Sequence, residues 1–186
     1  AVATVTAALG NSSDTADLSV AASPANAAVF VRTDVSTQGN WKSVYGKDGY
    51  TIAGDKASLP PYAAVKLSGN GAWTWAPSTT NRRALLKAAS SVDRIASCWY
   101  ANSSFAFDLD LSDGQPHQIA VYCLDWDSNR RTDRIDVLDT DTGAVLSTKT
   151  VSGFNAGKYL VWNVTGHLTR RVTDRGTPNA VAAALF

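Results

Sequence analysis

Apolar residues in the stretch from His117 to Asp139 alternate on both phases. Ile119, Val121 and Cys123 fall on one face of an extended chain, and Ala120, Tyr122, Leu124 and Trp126 on the other. A strand apolar on both faces belongs in the middle of a sheet covered on both sides, so Gln118–Trp126 is predicted to be a central strand. A polar, arginine-rich loop follows over 127–133. Arg134–Asp139 is then expected to return as the second arm of a hairpin, closed by the turn residues Thr140–Gly143. That hairpin would carry core residues along its length and Asp, Trp and Arg at its tip. Ser104–Leu111 shows simple alternation, with Phe105, Phe107, Leu109 and Leu111 set against Ala106, Asp108 and Asp110. It reads as a half-buried strand, expected to pair with Arg94–Tyr100.

The same period predicts strands at Val29–Thr33, Thr51–Ala53, Tyr62–Leu67, Ala72–Ala76, Val145–Val151, Gly157–Val164, Leu168–Asp174 and Ala180–Phe186. Helical spacing occurs once, at Leu85, Leu86 and Ala89 within 79–89, and that stretch is short and weakly capped. Roughly ten strands with turns about every 8–12 residues make this an all-β chain, and the expected architecture is a jelly-roll β-sandwich. Residues 1–23 stand apart as two short strands, Ala3–Ala8 and Thr15–Ala21, around a Gly-Asn-Ser-Ser turn. Two strands cannot bury a core by themselves. The expected organisation is therefore an N-terminal hairpin and linker over 1–26 and a sandwich over 27–186.

Composition narrows the function classes. Charged residues make up 18% and the formal net charge is +1, which argues against nucleic acid or an anionic membrane surface as partner. No apolar run approaches the ~20 residues of a membrane span, so membrane insertion is not expected. The chain lacks Met and Glu and is rich in Thr, Ser, Asn, Asp, Gly, Val and Ala, a composition of extracellular β-domains, so a secreted or cell-surface location is expected. It begins at Ala1, as a processed or excised piece would. Cys98 and Cys123 are too few for a disulfide framework; they are either cross-strand partners or two buried thiols.

Catalytic signatures are absent. His117 and His167 each sit alone at a strand entrance, and no nucleophile elbow, zinc-protease helix or phosphate loop occurs. Asp125 and Asp127 are the single carboxylate pair worth weighing for glycoside hydrolysis, and pairing with Arg130, Arg131 or Arg134 is the simpler role. Asp139, Thr140, Asp141 and Gly143 fit a strand-to-strand turn better than a calcium loop. No cofactor is expected beyond a structural calcium held by backbone carbonyls, which sequence does not reveal. The sequons at Asn11, Asn102 and Asn163 carry no further meaning. Six Trp and six Tyr do change the picture, because sugars stack C–H faces on aromatic rings and hydrogen-bond to Asp, Asn and Arg. Trp126, flanked by Asp125 and Asp127 and close to Arg131, is the leading ligand-binding candidate, with Trp41 and Tyr45 beside it. Trp41 reads equally as a buried plug. Trp73 and Trp75 share one face of a strand, and if that face is core neither binds. Trp75, Trp99 and Trp162 are expected to be core or half-buried.

The segments GNWKSVYGKDGY (39–50), TWAPST (74–79), DRIASCWY (93–100), HQIAVYCLDWD (117–127), RIDVLDTDTGAVL (134–146), YLVWNVTGH (159–167) and NAVAAALF (179–186) together resemble a family of bacterial modules. These are the galactose-binding-like and malectin-like jelly rolls appended to secreted enzymes and surface proteins. The first 23 residues, with Thr4–Ala7 and Ala16–Val20, resemble the end of a bacterial immunoglobulin-like repeat. The resemblance implies loops at one end of the sandwich that hold a saccharide; Cys98 and Cys123 depart from it, standing where simple apolar residues are expected. The resulting expectation is non-catalytic binding of a polysaccharide or glycan through Trp126, Asp125, Asp127, Arg131, Trp41 and Tyr45. The alternative is a structural subunit of an extracellular filament or surface layer, self-associating by strand exchange through residues 1–23.

Overall fold

Nearly every alternating segment becomes an antiparallel strand. The computed structural model describes residues 2–9, 12–19, 25–176 and 178–186, with the backbone course alone for 2–9 and 12–19. In chain order the strands are β1 (Val2–Leu9), β2 (Ser12–Ser19), β3 (Ala27–Asp34), β4 (Tyr50–Ile52), β5 (Ala57–Ser58), β6 (Ala63–Ser68), β7 (Gly71–Thr79), β8 (Leu85–Leu86) and β9 (Arg94–Ala101). They continue with β10 (Ser104–Leu111), β11 (His117–Cys123), β12 (Thr132–Asp139), β13 (Val145–Ser152), β14 (Lys158–Thr165), β15 (His167–Gly176), β16 (Ala180–Ala182) and β17 (Ala184–Leu185). A 3-10 turn at Trp41–Ser43 is the single helical element among the described residues, none of which forms a helix long and apolar enough to cross a membrane. The stretch with helical spacing is not a helix: Leu85 and Leu86 form a short ladder against Ile95 and Arg94, and both leucines are buried.

The fold is a β-sandwich. A five-stranded sheet in the order β13-β12-β15-β10-β6 faces a six-stranded sheet in the order β3-β14-β11-β17-β4-β5. Phe105, Phe107, Leu109 and Leu111 of β10, Ile135 and Val137 of β12, and Leu168 and Val172 of β15 point inward. They meet Ile119, Val121 and Cys123 of β11 and Leu160, Trp162 and Val164 of β14. Each large side chain fully buried here contributes about 1.5–3 kcal/mol of transfer free energy. A four-stranded sheet, β16-β9-β7 with β8 on β9, extends this core through Cys98, Trp99, Ala180 and Ala182.

β11 is buried on both faces, as its doubled pattern requires. Ala120, Tyr122 and Leu124, with Tyr159 and Val161 of β14, face outward into a second core roofed by Trp41, Tyr45, Leu85, Leu86, Ile95 and Phe186. The Tyr122 hydroxyl lies where a Cβ on residue 157 would be, 1.8 Å away, and position 157 has φ +86°, so glycine is required there twice over. Polar groups in this core are anchored: Tyr122 Oη donates to the Arg83 carbonyl at 2.7 Å and Tyr159 Oη to the Gln38 carbonyl.

Two pairings read from the sequence are not made. β11 and β12 lie in different sheets, because β11 is flanked by β14 and β17 and β12 by β13 and β15. The Asp125–Arg131 segment is therefore a crossover between layers and not a hairpin tip. β9 and β10 separate in the same way. The terminal segment divides into β16 and β17, in two different sheets, and Ala180, Ala182, Ala183 and Ala184 are small enough to be wholly buried at the change. Cys98 and Cys123 are free buried thiols. At the N-terminus β1 and β2 pair in continuous register from Val2–Ser19 to Leu9–Ser12 as a two-stranded sheet of their own. The linker expected at 23–26 lies partly outside the described residues. Asn26 is fixed by its Oδ1, which accepts the His167 N–H at 2.7 Å.

One core position runs against the pattern. Arg170 of β15, opposite Val137 and Phe107, is wholly buried, and none of its three guanidinium nitrogens has a hydrogen-bond partner among the described residues. Burial alone pushes its pKa down to about 9. Replacing buried charge with an apolar side chain of similar volume is often stabilising by 1–4 kcal/mol. Arg170→Met should therefore raise the thermal midpoint, by about 2–4 °C per kcal/mol gained for a chain of this size. Urea and thermal melts read this directly, and a lower midpoint would contradict it.

Candidate functional site

The crossover loop between β11 and β12 lacks a strand neighbour, so its backbone amides need other acceptors. Asp125 supplies them. Its carboxylate accepts the N–H of Ser128 and of Arg131, both at 3.1 Å, and the Ser128 hydroxyl at 2.9 Å. Asn129, at φ +58°, turns the chain in the left-handed conformation that asparagine tolerates. Asp125 is 1% exposed and Arg131 4%, and the two are paired through Nη1 at 2.5 Å. Burial raises the Asp125 carboxyl, but hydrogen bonds from the Arg131 amide, Ser128 and the Arg131 guanidinium outweigh it and hold the pKa below the usual carboxylate range. Burial likewise opposes the Arg131 charge, and Asp127 and Asp125 more than restore it.

Arg131 also carries the contacts outward. Nη1 reaches Asp127 Oδ1 at 2.5 Å and Nε donates to Asn179 Oδ1 at 3.0 Å. Asp127 Oδ2 in turn accepts the indole N–H of Trp75 at 2.9 Å. Trp75 and Trp73 share a face of β7, Cys98 and Tyr100 lie beside them on β9, and Val181 of β16 completes the row. Together with Asp127, Arg131 and Asn179 these residues line an open trough of about 240 Å³. Trp73 is 58% exposed, Asp127 is open to solvent, and Trp75, Tyr100 and Asn179 are half-buried. Gly71 is opposite Tyr100, and a Cβ there would meet the tyrosine ring at 2.8 Å, so glycine lets the ring lie across the strand.

Half of the residues nominated from the sequence meet here. Asp127 and Arg131 line the trough and Asp125 holds them from behind. Trp126 does not line it: its ring packs against the second core and is capped by the Arg83 guanidinium 4.4 Å above it, because its neighbours on either side face the other way. Trp41 and Tyr45 are corrected more strongly. Trp41 is 4% exposed, its indole N–H donates to the Leu86 carbonyl at 2.7 Å, and it packs on Tyr50 and Phe186. Tyr45 is 7% exposed and stacked on Tyr159, with its hydroxyl donating to Asp34 at 2.9 Å. Both rings roof the outer face of the six-stranded sheet, where β11 and β14 present apolar side chains, and neither offers an open face to a sugar. Tyr45 borders a separate recess of about 200 Å³ beside Tyr50, Tyr62 and His117.

Trp73, Trp75, Tyr100 and Asn179 line the trough but lie outside the six residues expected to bind. The usable signal in the sequence was the shared face of the two tryptophans: Trp73 is open there, while Trp75 is half-buried against the core. Asp125 and Asp127 converge on one arginine nitrogen and do not face each other across a cleft, so they lack the arrangement of a glycosidase pair. Asp139 accepts the amides of Asp141 and Thr142 at 2.9 Å in an ordinary turn. Among the described residues no cluster of three or more His, Cys, Asp or Glu is placed to hold a metal ion.

Behind the trough floor lies Asp133, 0% exposed, with Oδ2 accepting the Val181 N–H at 3.1 Å and Oδ1 without a partner among the described residues. Burial raises its pKa, the Val181 N–H pulls it back and the neighbouring Asp174 raises it further, to about 7. A raised carboxyl keeps its proton in the folded state after the unfolded chain has lost it. Stability therefore falls as pH rises from about 4 to about 7, by on the order of 4 kcal/mol, and is level above that. Asp125, held low, acts in a different window: its contribution is lost as pH falls below about 4. Asp133→Asn should flatten the fall between pH 4 and 7 and make the variant the more stable protein above pH 7. Urea melts at pH 4.5 and 7.5 check this; an equal difference from the parent protein at both values would refute it.

No protein-family model matches the chain, and neither a curated protein nor a solved structure shows significant similarity to it.

Proposed function

We propose that this protein is a non-catalytic glycan-binding module of a secreted bacterial protein and that the trough on the four-stranded sheet is its binding face. One observation carries the reading: Trp73 stands 58% exposed beside Trp75, Tyr100, Asp127 and Asn179. An open aromatic ring next to fixed polar groups matches the two kinds of surface a sugar presents, apolar C–H faces and a girdle of hydroxyls. The polar groups are preorganised by Arg131, so little side-chain freedom is lost on binding. At about 240 Å³ the trough is smaller than the roughly 300–1,000 Å³ of drug-sized pockets, which suits one sugar ring at a time along an open chain. The resemblance to galactose-binding-like and malectin-like sandwiches favours the same ligand class, but the proposal rests on Trp73 and its neighbours and not on the loop-end site which that resemblance implies.

A second reading has its own observation. β1 and β2 form a two-stranded sheet to which no third strand is added among the described residues. An isolated hairpin is marginal in water and its edges can complete another sheet. On this reading the protein is a subunit of an extracellular assembly that self-associates through residues 1–23.

Two measurements separate the readings. On a glycan array followed by titration calorimetry, Trp73→Ala should lose at least about tenfold in affinity, or about 1.4 kcal/mol, while Trp126→Phe should bind as the parent does. Binding unaffected by Trp73→Ala would refute the trough. In size-exclusion chromatography the full chain should elute as an oligomer, and the chain lacking residues 1–23 as a monomer, if the second reading holds; monomers in both cases would end it.

A further inference from the structure

The charges at the trough do not cancel. Arg131 is the single cation among its lining residues and is shared by two carboxylates, Asp125 and Asp127, so the group carries one net negative charge. Asp133 beneath Val181 adds negative charge when it ionises. The arginine is also committed. It is 4% exposed, with Nη1 on both aspartates and Nε on Asn179, so it presents no open fork to a carboxylate or sulfate on a ligand. Asp127, in contrast, has a side chain 46% exposed, with one protein donor on each oxygen. Each carboxylate oxygen accepts two hydrogen bonds, so one site on each remains for a donor brought by the ligand. The exposed face of Trp73 and the flanking Trp75 and Tyr100 add ring quadrupoles that attract cations and repel anions.

We propose that the trough selects glycans carrying protonated amino groups, that is unacetylated hexosamine units, over acidic glycans built from uronate or sulfated sugars. The selectivity rests on the glycan-binding reading above and makes it more specific. Asp127 receives the ammonium group while the Trp73 ring takes the apolar face of the same sugar. N-acetylation removes the charge and leaves the sugar ring, so acetylated oligomers bind through stacking alone.

Titration calorimetry on the full chain at mildly acidic pH provides the test, with oligomers of β-1,4-linked glucosamine, of N-acetylglucosamine and of glucuronate as probes. The glucosamine oligomer should bind at least about tenfold tighter than its acetylated counterpart, and the glucuronate oligomer most weakly. Raising the salt concentration should narrow the first ratio, because exposed charges are screened. Asp127→Asn, verified as folded by its thermal melt, should narrow the same ratio. Equal affinity for the charged and acetylated oligomers, both lost in Trp73→Ala, would overturn the charge preference and leave the glycan-binding reading standing. Tighter binding of glucuronate would overturn the preference outright. A ratio unmoved by Asp127→Asn would overturn the assignment to this carboxylate. Absence of binding by all three oligomers would overturn this proposal, and loss of all glycan binding on an array would overturn the underlying reading with it.

Discussion

The Arg131 guanidinium is the constraint on which the working face of this protein depends. Two charges taken out of water do not stabilise a fold by their attraction alone, since desolvation offsets most of it. What makes the Asp125–Arg131 pair tenable is that Asp125 also satisfies two backbone amides and a hydroxyl of the crossover loop, a segment without a strand neighbour to serve them. The same guanidinium then fixes Asp127 and Asn179, and Asp127 fixes Trp75. Shape of the loop and placement of the polar groups in the trough both pass through one buried ion pair.

The other organising feature is that the six-stranded sheet is covered twice. With β11 and β14 apolar on both faces, the segments around Trp41, Tyr45 and Leu85 are drawn into a roof, and their aromatic rings are used for packing. Trp162 fills the inner layer, Trp41 the outer one, and Trp126 the margin under Arg83. β7 is different. It is the outer strand of the four-stranded sheet, its Ala72, Trp73 and Thr74 are exposed, and it carries Pro77, a residue compatible with a strand edge. An aromatic ring such as Trp73 on such a strand stays available to solvent, which is why the open aromatic surface is found there and not at the loop first suspected.

Strand positions were legible because a period of two is a local property. Ser104–Leu111 matches β10 residue for residue, and the doubled alternation of Ile119–Leu124 forecast two covered faces. Sheet membership was not legible. A polar loop of the length of Asp125–Arg131 spans a hairpin and a crossover equally well, and the choice is made by β17, more than fifty residues further along, which pairs with β11. The β7 tryptophans show the same limit. Alternation places Trp73 and Trp75 on one face without saying which face is inside, and tryptophan is apolar enough for either. Tyr100 and Asn179 join them only through the pairings of β9 with β7 and β16. The local half of the site, Asp125, Asp127 and Arg131, could be found within seven residues of sequence; the aromatic half required the fold.

Two buried charges show how unevenly the interior treats polar groups. Arg170 sits among apolar neighbours without a hydrogen-bond partner among the described residues, and its burial bears on stability. Asp133 is equally buried, but its carboxylate accepts the Val181 amide, and Val181 is the floor of the trough. Protonating Asp133 therefore acts on two things at once, relieving an ionised carboxylate that the interior solvates poorly and reducing the negative charge beneath the trough. Because burial places this change near pH 7 rather than near 4, fold stability and the electrostatics of the trough vary together across the pH range in which Asp125, held low by hydrogen bonds, stays ionised.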